Sequence, residues 1–253
     1  MSDEIAISAN QLCLTYESKE RPIEAFRNVD LSISRGEFVS FIGPSGCGKT
    51  SLLRAIADLE IPTSGTLSIN GMSAEKARLA RDIGYVFQAP SLMPWRSVED
   101  NICVPLEIMG IAAQERTQRI EHVLKLVDLY DFKTKFPSQL SGGMQQRVSI
   151  ARALAFDAKL LLMDEPFGAL DEISREHLNE QLLKLWRQTG KTICFVTHSI
   201  SEAVFLSTKI VVMSARPGEI IDVIEPNLPD NRSADIRESK AFLQITKRIR
   251  AAL

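Results

Sequence analysis

The sequence predicts an α/β fold in which a mainly parallel β-sheet is covered by helices. Short apolar runs rich in β-branched and aromatic residues recur along the chain, and segments with helical periodicity separate several of them. Strands that alternate with helices form parallel sheets, because parallel neighbours need a long crossover connection. The predicted strands cover residues 37–42, 83–88, 160–163, 193–197 and 210–213.

The first predicted strand leads through a glycine cluster into a helix. Residues 50–59 have an apolar stripe at helical spacing, so we expect a helix there. Residues 66–69 are closed by Asn70-Gly71, a dipeptide that is typical of tight turns between antiparallel strands. This segment is therefore predicted to be one arm of a hairpin.

From Ala89 onward the character of the sequence changes, from alternating strands and helices to an irregular stretch followed by helices. Three prolines, Pro90, Pro94 and Pro105, interrupt a stretch that we expect to be irregular. Apolar residues at i, i+3, i+4 and i+7 then predict an amphipathic helix over 120–127, and further helices follow at 143–155 and 173–188. We expect residues from about 90 to 157 to form a helical subdomain inserted into a domain that spans residues 5–225.

The C-terminal residues 226–253 are predicted to form a short helical tail. Prolines loosen the chain before it, and the last 23 residues carry six basic and two acidic side chains. Phe242, Ile245 and Ile249 share one helical face, which favours a helix docked on the protein over one that binds a membrane.

The composition is typical of a soluble globular protein. Of the 253 residues, 45% are apolar and 25% are charged, and a net charge of −2 argues against nucleic-acid binding. The four cysteines lack the spacing of a zinc site or a disulfide framework and suit a reducing cytosol. The N-terminus lacks the pattern of a secretion signal, and the longest apolar runs are too short to cross a bilayer. We therefore expect any role at a membrane to come through a partner.

Residues 43–50 (GPSGCGKT) fit the phosphate-binding pattern G-x-x-x-x-G-K-[ST], the P-loop. Glycines let backbone N–H groups turn inward on an anion, and the next helix adds its positive N-terminal end. Lys49 would bring a full charge to the outer phosphates, and the Thr50 hydroxyl can bind magnesium. The alternative is a glycine-rich turn with an accidental lysine, which the position between a strand and a helix disfavours. The predicted nucleotide-binding residues are Gly43, Pro44, Ser45, Gly46, Cys47, Gly48, Lys49, Thr50 and Ser51.

Two carboxylates follow the apolar run at 160–163. An apolar strand ending in Asp164 is the Walker B arrangement, which brings a carboxylate to magnesium, and Glu165 could act as general base towards a water on the γ-phosphate. Alone this pattern is weak, since many strands end in acids for solubility. His198 ends another predicted strand and could bond a γ-phosphate, although a lone histidine is more often structural.

Residues 140–147 (LSGGMQQR) carry a second anion-binding pattern. Ser141 can cap a helix that starts at Gly142-Gly143, which leaves bare N–H groups at a positive helix end. With one P-loop per chain, a spare anion site suggests ATP held between two chains. Over residues 5–225 the sequence resembles the nucleotide-binding subunits of ABC transporters. That resemblance implies a P-loop NTPase core with a mainly parallel sheet, an antiparallel β subdomain and an inserted α-helical signature subdomain.

The resemblance implies further roles. Gln88 resembles the Q-loop glutamine, which reaches magnesium and senses the membrane partner, and Ala169-Leu170-Asp171 resembles the D-loop of the dimer interface. Tyr16 stands where the family places an aromatic ring against adenine, although it could be an ordinary strand residue. The implied catalytic residues are Glu165, His198, Lys49 and Gln88; the implied magnesium ligands are Thr50, Gln88 and Asp164; and the implied nucleotide contacts beyond the P-loop are Tyr16, Ser141, Gly142, Gly143, Gln145 and Asp171.

The residues after Gln88 point to a subgroup of this family. Residues 89–98 (APSLMPWRSV) look like those of bacterial importers of the nitrate, sulfonate and taurine type. Trp95, between a proline and an arginine, is predicted to help form a groove for a cytoplasmic helix of the permease. The alternative is a tryptophan that packs internally.

The resemblance implies an ATP-hydrolysing subunit that energises import of a small solute through a separate permease. The implied cofactors are ATP and Mg²⁺. The implied partners are a second copy of the chain, the permease and, indirectly, an extracytoplasmic solute-binding protein, with the chain at the cytoplasmic face of the membrane. The alternatives are a non-transport ABC ATPase of DNA repair or translation, and a P-loop module that switches without turnover. The cargo is not predicted.

Overall fold

The computed structural model describes residues 4–19, 21–168, 170–229 and 231–253. Ala169 of the predicted D-loop lies outside these ranges. The strands are β1 (Ile5–Tyr16), β2 (Ile23–Ser34), β3 (Phe38–Ile42), β4 (Ser64–Ile69), β5 (Met72–Ser73), β6 (Ile83–Val86), β7 (Leu160–Asp164), β8 (Thr192–Val196), β9 (Lys209–Met213) and β10 (Ile220–Ile224). The α-helices are α1 (Lys49–Ile56), α2 (Ala74–Leu79), α3 (Val98–Ile108), α4 (Ala113–Leu126), α5 (Gly142–Ala155), α6 (Glu172–Thr189), α7 (Ile200–Leu206) and α8 (Lys240–Ala252).

Two sheets organise the chain. The six-stranded sheet has the order β10-β9-β3-β8-β7-β6, and all its pairings are parallel except that of β10 with β9. The second sheet has the order β2-β1-β4-β5 and is antiparallel. The predicted α/β class, with a mainly parallel sheet and an antiparallel β part, is confirmed. Since β3, β7 and β8 are parallel neighbours, the loops that follow them meet at one edge of the sheet.

Strand β7 shows how the large sheet is buried on both faces. All five of its residues are buried, and their side chains alternate between two cores. Leu160 and Leu162 join the core that contains α1 and the antiparallel sheet, whereas Leu161 and Met163 join the core that contains α6, α7 and α8. By the same alternation Asp164 lies on the α1 side of the sheet.

Helices α3, α4 and α5 share a third apolar core. The sequence led us to expect an irregular stretch around Pro105, and this was wrong, because α3 runs through that proline. Ser97 caps the helix by accepting a hydrogen bond from Asp100 N, and Val98, Ile102 and Leu106 are fully buried along one face. Burial of three large side chains outweighs the loss of one backbone donor at Pro105.

Strand β6 ends two residues earlier than predicted, at Val86. Phe87 and Gln88 leave the sheet because their polar groups have other partners: Gln146 donates to Phe87 O over 3.2 Å, and the Gln88 side chain reaches Glu165. At the C-terminus α8 packs against α7 with Phe242 and Ile249 buried. Within the described residues, each helix is too short or too polar to traverse a lipid bilayer.

Leu161→Ala is expected to lower the free energy of unfolding by about 2–5 kcal/mol, because it opens a cavity between β7 and the helices that cover it. Leu161 has no exposed surface, whereas Leu79 on α2 is 65% exposed. Leu79→Ala is the matched control and should change stability by less than about 0.5 kcal/mol. Urea denaturation followed by circular dichroism measures both, and equal losses would contradict the assignment of Leu161 to the core.

Candidate functional site

The loop between β3 and α1 forms one wall of a cleft of 340 Å³. The cleft brings together most of the residues predicted from the P-loop pattern with the predicted catalytic side chains that follow β6, β7 and β8. The described residues that line it are Tyr16, Ile23, Ala25, Ser45, Gly46, Gly48, Lys49, Thr50, Ser51, Gln88, Glu165, His198 and Arg216. Gly43, Pro44 and Cys47 belong to the same loop but do not line the cleft, and Cys47 is buried.

The P-loop is wound around the ammonium group of Lys49. Lys49 Nζ donates to Gly43 O over 2.8 Å and to Pro44 O over 3.0 Å, and its side chain is buried. Gly48 has φ +93°, and a Cβ there would lie 2.5 Å from Ala25 O, so the turn into α1 requires glycine. The loop thus combines a positive charge with the N-terminal end of α1, which is the electrostatic setting that favours a phosphate.

Tyr16 is the last residue of β1 and lines the cleft. Its hydroxyl donates to Ser51 Oγ over 3.1 Å, which ties the ring to the first turn of α1. Tyr16 is therefore a strand residue whose side chain also lines the cleft, where an aromatic ring could stack on a base.

Thr50 and Asp164 meet beneath the P-loop. Thr50 Oγ1 donates to Asp164 Oδ1 over 2.9 Å, and Asp164 is 3% exposed. Burial raises the pKa of Asp164 above its usual value, and the negative charge of the neighbouring Glu165 raises this pKa further. The hydrogen bond from Thr50 acts in the opposite direction and lowers the pKa. The oxygen atoms of Thr50, Asp164 and Gln88 suit a hard cation such as Mg²⁺, and a cation there would favour the charged form of Asp164.

Glu165 is held between two predicted site residues. Glu165 Oε1 lies 2.6 Å from His198 Nε2, and Gln88 Nε2 donates to Glu165 Oε2 over 3.1 Å. The backbone supports this position, since Glu165 has φ +48° and its N–H donates to Val196 O over 3.0 Å. A carboxylate fixed in this way at the mouth of the cleft has the location that a general base needs. His198, which follows β8, is thereby linked to the Glu165 carboxylate.

Three of the four predicted signature contacts, Ser141, Gly142 and Gly143, line a second cavity of 360 Å³, apart from the P-loop cleft. Ser141 caps α5 by accepting a bond from Met144 N over 3.2 Å, and the helix starts with Gly142, which is exposed, and Gly143, which is half-buried. Asp171 lines the same cavity and caps α6, because its side chain accepts a hydrogen bond from Ser174 N. Hydrogen bonds from Ser174 lower the pKa of Asp171. Gln145 does not line this cavity, because its side chain donates to Pro137 O over 3.0 Å.

One charged residue of the cleft was missed in the sequence. Arg216 follows β9, and the P-loop follows β3, so the two segments are neighbours only because β9 pairs with β3. The strand order of a parallel sheet cannot be read from periodicity, although the Pro217-Gly218 dipeptide shortly after an apolar strand was an available signal of a turn.

Helix α5 also holds the segment that follows β6. Besides the bond from Gln146 to Phe87 O, Arg152 donates to Pro90 O over 3.1 Å and to Ser91 O over 3.0 Å. The helix that starts at Ser141 and the stretch that starts at Gln88 are therefore mechanically linked.

Comparison with known proteins gives a consistent result. The family model described as ABC transporter matches residues 26–168. An uncharacterized ABC transporter ATP-binding protein of Methanocaldococcus jannaschii is 43% identical over 97% of this chain and 90% of its own length. An aliphatic sulfonates import ATP-binding protein of Bacillus cereus is 40% identical over 97% of this chain and 94% of its own. A taurine import ATP-binding protein of Rhizobium johnstonii is 42% identical over 92% of this chain and 90% of its own.

Among solved structures, a dimeric ATP-binding cassette in a post-hydrolysis state with ADP and Pi has a TM-score of 0.79 and 37% sequence identity. The match covers 87% of this chain and 98% of that one. The chain is thus similar in fold to an ATP-binding cassette that was solved with ADP and Pi.

Proposed function

The chain belongs to the ABC transporter family as an ATP-hydrolysing subunit, and from this premise we propose that it drives import of a small solute through a separate membrane permease. The named relatives are import proteins, which favours transport over DNA repair or translation. The observation that carries the proposal is Glu165 fixed between His198 and Gln88 at the mouth of a cleft that contains Lys49.

The chemistry follows from the groups around the cleft. Lys49 and the N-terminal end of α1 offset the charge of the phosphates, and Glu165 accepts the proton of a water that attacks the γ-phosphate. His198 and Gln88 hold the Glu165 carboxylate in place for that step. Thr50, Asp164 and Gln88 are the residues proposed to hold Mg²⁺, which when bound neutralises charge on the outer phosphates.

We propose that two copies share each nucleotide. The P-loop cleft and the cavity at Ser141 are separate within one chain, and each provides an anion-binding helix end. A second copy would supply the Ser141 end to the P-loop of the first, with Asp171 close to the contact. The dimeric state of the matched solved cassette supports this arrangement.

A second proposed contact is with the permease. An apolar groove of 410 Å³ lies between edge strand β6 and α3, with Phe87, Val104 and Ile108 among its walls. Ile108 is 66% exposed and Phe87 is 38% exposed, so the groove offers apolar surface to a partner helix. Trp95 does not line this groove, and the alternative that it packs internally is wrong, because it is 73% exposed. We place it in the rim of the permease contact.

The remaining partners and the location follow from the same proposal. The permease holds the chain at the cytoplasmic face of the membrane, and an extracytoplasmic solute-binding protein delivers the solute. The named relatives import aliphatic sulfonates or taurine, so a small sulfonate is the first solute to test. The helical subdomain proposed for residues from about 90 to 157 includes the groove wall at α3 and the signature helix α5, so it would pass permease movement to the nucleotide.

Ile108→Asp is expected to lower permease-stimulated ATPase and solute uptake about tenfold or more, because a charge in the groove must be desolvated when a helix docks. The measurement uses the chain reconstituted in vesicles with the permease that co-purifies with it. Basal ATPase should stay unchanged. Trp95→Ala, at the rim, should give a smaller loss than Ile108→Asp.

Ile61→Asp is the matched control, since Ile61 is 83% exposed and lies outside the groove. If Ile61→Asp and Ile108→Asp reduced stimulation equally, the groove would not be the docking site. If no membrane protein co-purified with the wild-type chain, and sulfonates caused no transport-coupled hydrolysis, the importer proposal itself would fail.

A further inference from the structure

The loop between β9 and β10 is closed on itself by Ser214. Ser214 N donates to Glu219 O over 2.9 Å, and the Ser214 hydroxyl accepts from Glu219 N over 3.0 Å and donates to Pro217 O over 3.2 Å. Both ends of the loop are thus joined, and the residues between them project as one turn.

This turn is docked against the P-loop. Gly218 N donates to Ala25 O, and Arg27 N donates to Gly218 O, each over 3.0 Å, which adds the turn to the edge of β2. A Cβ at position 218 would lie 1.9 Å from Cys47 O, so only glycine allows the two backbones to come this close. The contact with Cys47 fixes the distance between the turn and the phosphate-binding loop.

Arg216 lies on this turn, and its side chain lines the cleft. Its Nε donates to Gly46 O over 3.0 Å, and its side chain lines the cleft beside Ser45. Its two Nη groups have no hydrogen-bond partner among the described residues, and the residue is exposed. Of the described side chains that line the cleft, Lys49 and Arg216 carry fixed positive charges.

We propose that Arg216 is a nucleotide-binding residue that contacts the phosphate chain of bound ATP and ADP. The bond from Nε to Gly46 O orients the planar guanidinium group and leaves the Nη hydrogens for a ligand. Paired N–H donors in a fork match the oxygen atoms of a phosphate in geometry as well as in charge. Lys49 acts from inside the loop, whereas Arg216 approaches the same phosphates from the open side. The inference rests on ATP occupying this cleft and is independent of the permease and of the solute.

The test measures dissociation constants of ATP, ADP and adenosine for the purified chain by calorimetry and competition, without a permease. Arg216→Ala is expected to weaken ATP and ADP about tenfold, the effect of losing one charge-assisted hydrogen bond, and to leave adenosine unchanged. Arg35→Ala is the control. It also removes one positive charge, but at the far end of β2, where Arg35 pairs with Glu4, and it should leave the dissociation constants of ATP and ADP unchanged. Unchanged ATP and ADP affinity in Arg216→Ala would overturn the proposal.

Two further variants separate the phosphate contact from support of the P-loop. Arg216→Gln keeps a donor for Gly46 O without the charge, and Arg216→Lys keeps the charge. We expect Arg216→Gln to bind ATP as weakly as Arg216→Ala, and Arg216→Lys to stay within about threefold of the wild type. If Arg216→Gln bound ATP like the wild type, Arg216 would only brace Gly46, and the phosphate contact would be wrong.

Discussion

Glu165→Gln is expected to lower the rate of ATP hydrolysis by about 10²–10⁴-fold while ATP binding is retained. The amide keeps the size of the side chain and can still meet His198 and Gln88, but it cannot accept a proton from the attacking water. Since the nucleotide then persists, the variant should accumulate as a dimer with ATP trapped between two chains. Single-turnover hydrolysis and size-exclusion chromatography with ATP measure the two effects.

Glu180→Gln is the matched control for this variant. Glu180 lies on the exposed face of α6, so the same chemical change there should leave hydrolysis unaffected. If Glu165→Gln hydrolysed ATP at the wild-type rate, Glu165 would not be the general base. If Glu165→Gln hydrolysed ATP slowly but stayed monomeric with ATP, the assignment of Glu165 as general base would stand. The predicted dimer with trapped ATP would then be wrong.

A mixture of Lys49→Ala and Ser141→Arg chains is expected to regain activity that neither variant has alone. Lys49→Ala removes the positive charge inside the P-loop, and Ser141→Arg blocks the helix end at the second cavity. In a mixed dimer both defects fall on one nucleotide, and the other nucleotide has an intact P-loop and an intact Ser141 helix end. Random pairing gives mixed dimers with one working site, so about a quarter of wild-type ATPase is the upper limit.

The control for this experiment is each variant mixed with the double variant that carries both changes. Those mixtures contain no intact pair and should stay inactive. Activity in those mixtures would show that hydrolysis does not require an intact P-loop together with an intact Ser141 helix end. If the mixture of the two single variants stayed inactive, the shared nucleotide would be contradicted.

Much of the site was predictable because its residues lie next to apolar strands. The P-loop, Asp164, Glu165 and His198 each follow a buried run, and parallel strands bring such loops to one edge. The contact between Gln88 and Glu165 was not predictable, because it depends on β6 ending at Val86 rather than at residue 88.

The features that we did not predict from the sequence depend on tertiary packing. Strands β1 and β2 escaped prediction, because their burial pattern is broken by irregularities in register. Helix α3 was concealed by Pro105, whose local effect is outweighed by a buried face. Arg216 was concealed because strand order, which places β9 beside β3, is a property of the assembled sheet.

The way in which α5 holds the stretch after β6 has a consequence for how such proteins diversify. Gln146 and Arg152 bind the carbonyl oxygens of Phe87, Pro90 and Ser91, and none of these bonds involves a side chain of that stretch. Amino-acid replacements between 89 and 91 would therefore leave the attachment intact. A lineage could exchange one membrane partner for another by altering these side chains, and the mechanical connection to the ATP site would be inherited unchanged.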